Sequence, residues 1–159
     1  MDKEFIKDNP ILKKKLSKVT LKDEEAVTVV AEAYSVLDER VKKRISDEYK
    51  KKIPLLEERI EALIQVKEFK DQYSYLWKTD KDAMLADPQG TLSLVDNAII
   101  VYGTYGDTAK SMLKTEHEKL NEIKAMLEEQ IAINEADAKV NEEVLAYQKI
   151  WFKVLSLNK

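Results

Sequence analysis

The chain has no cysteine, one histidine, three glycines and three prolines in 159 residues. The missing cysteines exclude disulfides, thiolate nucleophiles and cysteine-based metal sites. The single imidazole, His117, has no second histidine to share a metal, and Lys114 stands where a di-iron bundle motif would need glutamate. No Gly-x-Ser-x-Gly elbow surrounds any serine. Gly103 and Gly106 lack the Lys-Ser/Thr that a phosphate-cradling loop supplies, so they are expected in a turn. On this reading the chain is not an enzyme, and no residue is assigned a catalytic, cofactor-binding or metal-binding role.

Long apolar runs are missing too. None approaches the roughly 20 residues of a membrane span, and the basic and acidic N-terminus has no apolar signal core. In this form of the chain, those absences favour the cytoplasm. Scarcity of glycine and proline means few turns, and therefore few and long elements.

What the sequence holds is charge and helical periodicity. Charged residues make up 36% and aromatics 8%, with a formal net charge of −3. Residues 1–78 carry a small positive excess and residues 79–159 a larger negative one. The basic cluster Arg40, Lys42, Lys43, Arg44 and Lys50 to Lys52 is interleaved with Asp38, Glu39, Asp47 and Glu48, which argues against a phosphate-tracking surface and hence against nucleic acid. Glutamate groups such as Glu57, Glu58 and Glu61 read as solvated helix faces.

From Thr20 to Trp77 apolar residues recur at spacings of three and four: Val30, Tyr34, Leu37, Val41, Ile45, Tyr49, Ile53, Leu56, Ile60, Leu63 and Val66. That is the period of one helix face. Thr20 with Asp23 forms a capping-box signature, followed by Glu24 and Glu25 in the first turn. Pro54 interrupts the run without shifting its phase, so a kinked but continuous helix is expected there. A second periodic run passes through Leu113, Leu120, Ile123, Leu127, Ile131, Leu145 and Leu155.

The expected fold is all-α: an elongated antiparallel bundle, a coiled-coil-like hairpin of two long helices with one or two short helices. A single helical domain over 1–159 would comprise a short basic amphipathic segment at 1–19, opened by Asn9-Pro10, a long helix at 20–78, a turn and short helix at 79–107, and a long helix at 108–158. Two helices bury only one seam, so a second copy, most simply in a homodimer, is expected to cover the remainder.

Large rings mark the expected contact points. Tyr73, Tyr75 and Trp77 close the first long run, Tyr102 and Tyr105 precede the second, and Trp151 and Phe152 lie near its end. Tyrosine and tryptophan are rich in binding hot spots. The functional expectation is a protein-binding scaffold or adaptor that acts through helical surfaces and self-associates. The alternative is a regulatory or inhibitory protein that covers a partner, unidentified from sequence, with one helical face.

Overall fold

The computed structural model describes residues Asp2–Leu157, and among these the chain is all-α, without a strand. The helices are α1 (Asp2–Asp8), α2 (Glu24–Ser35), α3 (Glu39–Lys42), α4 (Asp47–Gln72), α5 (Ser74–Lys78), α6 (Lys81–Ala86), α7 (Pro88–Thr104), α8 (Asp107–Met112) and α9 (Lys114–Leu157). Three 3₁₀ turns, Pro10–Lys13, Leu16–Lys18 and Leu21–Asp23, link α1 to α2. Contacts group the chain into two compact units. The first runs up to Gln72 and includes Tyr102–Thr115; the second holds Tyr73–Val101 and the residues from Glu116 onward.

The expected helix over 20–78 is a series of shorter ones. At Ser35 the hydroxyl donates to the Glu32 carbonyl at 2.7 Å, the kind of local bond that competes with helix continuation. Asp38 then turns extended and caps α3, its carboxylate accepting the Arg40 N–H at 2.8 Å. A further turn through Arg44 and the buried Ile45 leads into α4, whose first turn is acidic at Asp47 and Glu48. None of these breaks uses glycine or proline, so the apolar phase survives them. Pro54, by contrast, sits within continuous α4, on its exposed side. The expected helix over 108–158 is likewise divided, because fully buried Leu113 ends α8 with its N–H shared between the Ala109 and Lys110 carbonyls. Residue 158 lies outside the described residues. The short helix expected within 79–107 is two, α6 and the longer α7.

In the first unit, α4 offers Ile53, Leu56 and Ile60 to Val27 and Val30 of α2, while Phe5, Ile11, Leu12 and Val19 of the N-terminal segment close the core. Asn9 anchors that segment: Pro10 opens the 3₁₀ turn, and the buried Asn9 amide donates to the Phe5 carbonyl at 2.9 Å. Arg59 of α4 donates to the carbonyls of Val19 at 3.0 Å and Ser17 at 3.2 Å, tying backbone that has no helical partner of its own. On another side of α4, Thr108 of α8 donates to Glu58 at 2.7 Å, and small residues Ala62 and Ala109 are both buried.

The capping box forms as its sequence signature suggests. Asp23 accepts the Thr20 backbone N–H at 2.9 Å and pairs with Lys14 at 2.9 Å. The backbone bond from Thr20, then the Lys14 ammonium, holds its carboxyl below the usual carboxylate range.

In the second unit, α7 begins with Asp87 accepting the Gly90 N–H at 3.1 Å. A Cβ on Gly90 would run into that carboxylate, so a side chain there requires the Asp87 carboxylate to shift. Val95 and Ala98 of α7, Leu76 of α5, Met84 of α6 and Leu120, Ile123 and Leu127 of α9 are buried. Asp96 and Lys124 join α7 to α9 at 3.0 Å, and that carboxylate raises the Lys124 ammonium above its ordinary value.

Two outcomes follow from this packing. Leu56→Ala is expected to cost about 2–5 kcal/mol of unfolding free energy in urea titrations, because the helix seam cannot close over the vacated volume. For Asp23 the folded carboxyl sits below its unfolded value, so its stabilisation is complete above that unfolded value and is lost as pH falls through the folded one. An Asp23→Asn variant should therefore be less stable at neutral pH and show a weaker fall in stability on acidification, read as denaturation midpoints across the acid range.

Candidate protein-binding surface

The aromatic residues singled out from sequence divide between the two units. Tyr102 and Tyr105 belong to the first. Lys110 lies 5.9 Å from the Tyr102 ring centroid, and Tyr105 meets the buried Phe69 edge-on at 6.0 Å. Both tyrosines are half-buried and spend their rings on intramolecular packing.

Tyr73, Tyr75 and Trp77 belong to the second unit. Tyr73 is fully buried and donates its hydroxyl to Asn97 at 2.9 Å. Burial pushes its phenol above the usual tyrosine range. It is also the residue that separates α4 from α5. Trp77 is half-buried and Tyr75 exposed.

Trp151 and Phe152 stand apart from these, at 53% and 69% exposed. They lie in the second half of α9. The first half of that helix buries Leu120, Ile123 and Leu127, and its last neighbour is the start of α7, where Asp87–Gln89 border a shallow hollow of about 340 Å³ with Ile131, Asn134, Glu135 and Ala138. From Ala132 through Leu157 every side chain is exposed.

That stretch is not uniformly polar. Lys139, Glu142, Ala146, Lys149, Lys153 and Ser156 recur at alternating spacings of three and four and form one side. Val140, Val144, Tyr147, Trp151 and Val154 recur in the same rhythm on another side, and all are at least 43% exposed. Ile150 and Leu155 widen the apolar arc, whereas Leu145 and Leu157 are exposed beside the polar residues. From Val144 onward the helix has no acidic residue. Trp151 and Phe152 are legible from sequence as large rings and Ile150 as part of the periodic run, whereas Val144 and Tyr147 carry no such mark. The signal that finds them is local: residues 144–157 carry only two charges, Lys149 and Lys153.

His117 is half-buried on α9. Among the described residues no group of three or more histidine or acidic side chains could hold a metal ion. A groove of about 510 Å³ between α2 and α4 has an apolar floor of Val27, Ala31, Ile60 and Ile64 and a rim of Glu24, Glu32, Glu57 and Glu61. Among the described residues no helix is long and apolar enough to cross a membrane. No protein-family model, curated protein or solved structure matches the chain.

The division between core and surface rings is measurable. Tyr73→Phe removes the bond to Asn97 and is expected to cost about 0.5–1.5 kcal/mol. Tyr75→Ser, at an exposed ring of the same short segment, should stay within about 0.5 kcal/mol of wild type in the same urea titrations.

Proposed function

We propose that this chain acts by binding protein through a helical surface, as a scaffold or adaptor component that self-associates, and that the second half of α9 is its contact element. One observation carries the reading: the outer half of α9 exposes an apolar stripe of Val140, Val144, Tyr147, Trp151 and Val154, with Glu142, Lys149 and Lys153 on the opposite side of the helix. Soluble monomers rarely leave contiguous apolar patches of more than a few hundred Å² uncovered, and Tyr147 and Trp151, both more than half exposed, are the largest side chains of this stripe. Most of the apolar side of α4 is already covered by α2, α8 and the N-terminal segment. The elongated hairpin of two long helices is not required by this reading. Neither is chemistry, for the binding element contains no arrangement of nucleophile, base or metal ligand.

The reading is tested by placing charge on the contact face. In the full chain, Tyr147→Glu with Trp151→Glu should abolish association beyond the 18.4 kDa protomer in sedimentation equilibrium. The urea midpoint of the folded units should move little, because both rings are exposed. A doubly substituted protein that associates as wild type does would remove α9 as the contact element. A wild-type chain that remains a protomer and holds no partner protein would overturn the reading itself.

A further inference from the structure

Local helix chemistry does not account for the acidic rim of the groove between α2 and α4. Of its carboxylates only Glu24, in the first turn of α2, suits its place along a helix. Glu32 lies in the last turn of α2, the end at which the dipole favours cations, and no basic residue stands in that turn. Glu57 and Glu61 are one turn apart on α4, a like-charge spacing that weakens a helix. Folding then brings the acids of both helices around one groove, and no lysine or arginine lines it. Residues 1–78 nevertheless carry an excess of positive charge.

Neighbouring charges on the same segments are used within the fold. Glu58 accepts the Thr108 hydroxyl at 2.7 Å, and Asp23 is held by Lys14 and the Thr20 N–H. Arg59, between Glu57 and Glu61 in the chain, donates instead to the carbonyls of Val19 and Ser17. Glu24, Glu32, Glu57 and Glu61 are all exposed. Among the described residues none of their carboxylates forms an ion pair or a hydrogen bond. Choices that oppose local stability and gain no compensating contact inside the fold mark a functional surface.

We propose that this groove binds a cationic amphipathic segment of a partner protein, its apolar side chains on the floor and its lysines or arginines on the glutamates of both walls. The groove lies wholly within the first unit and takes no residue from α9, so this second surface goes beyond the scaffold reading and does not rest on it.

Shape and charge together select that occupant. Val27 and Ile60 are buried in the floor, while Ala31 and Ile64 stay partly exposed there. Ala31, with no side chain beyond its Cβ, helps leave about 510 Å³ open. Along α2 the two glutamates are about 12 Å apart and along α4 about 6 Å, at ~1.5 Å rise per residue. A segment of two to three helical turns therefore reaches all of them. Acid on both walls matches cations on both flanks of a narrow apolar strip, which is the pattern of a basic amphipathic helix laid in a groove. A neutral apolar helix would desolvate carboxylates without pairing them, and an acidic one would meet like charge on both sides.

The probe is a fluorescein-labelled synthetic peptide of three Lys-Leu-Ala-Lys repeats, which as a helix sorts leucine and alanine to one side with lysine on both flanks. Its binding to the full chain at low ionic strength is read by fluorescence anisotropy, beside the same peptide with every leucine replaced by alanine. The leucine peptide should bind at least about tenfold tighter than the alanine peptide, and its affinity should fall as salt rises. Glu32→Gln with Glu61→Gln, one acid from each wall, should weaken binding about tenfold. The urea midpoint of that variant should hold or rise, because repulsion along the rim is relieved. Ala31→Leu fills the floor without changing charge and should weaken binding as well. Leucine-peptide binding that survives the double glutamine substitution, in a protein that keeps its urea midpoint, overturns the proposal. Equal binding of the alanine peptide overturns it too, since attraction would then be diffuse charge without use of the floor. So does the absence of binding by either peptide at low ionic strength. None of these results bears on α9, whose association is read separately with Tyr147→Glu and Trp151→Glu.

Discussion

The demand that an amphipathic helix hide its apolar side governs both units of this chain. In the first, Ile53, Leu56 and Ile60 of α4 set that demand, and the surrounding segments are arranged to meet it. Helix α2 supplies Val27 and Val30, and the N-terminal segment folds across with Leu12 and Val19 fully buried. The polar contacts follow from that burial. Arg59 reaches back to the carbonyls of Ser17 and Val19 because a 3₁₀ segment laid on a helix leaves acceptors that its own turns cannot satisfy. Lys14 and the Thr20–Asp23 box then fix the corner from which α2 departs.

In the second unit the same helix plays two roles in sequence. The first half of α9 spends Leu120, Ile123 and Leu127 on its own unit, and Lys124 fixes it to Asp96. The second half has equally regular periodicity and larger side chains, but every one of them is exposed. A helix of this length is held by its buried first half, so the outer half can be helical before any partner arrives. Pre-formed helix lowers the ordering cost of any association made through it.

The exposed apolar face of α9 is only partly legible in the sequence. Seven large rings stand out in the sequence, and their size marks each as a candidate contact. Tyr73 and Trp151 illustrate why size alone does not sort them. Both follow helical periodicity, but Tyr73 finds Asn97 and a closed pocket whereas Trp151 finds no covering element in its unit. The more informative signal around Trp151 was composition over two or more turns, where charge falls away on all but one narrow side.

Sequence alone determined the helical class, since spacings of three and four with almost no glycine or proline leave no other regular structure. It also determined local starts that depend on adjacent residues, such as Thr20 with Asp23 and Asn9 with Pro10. The breaks at Val36–Asp38, at Ile45 and at Tyr73 were decided by tertiary structure. An interruption of one to four residues built from side-chain bonds and burial keeps the apolar phase, and so leaves no mark in a periodic pattern. Tertiary structure also decided which stripe is covered. Periodicity records that a face is apolar, but only the chain's path determines whether α2 lies across it, as on α4, or whether it remains open, as on the second half of α9.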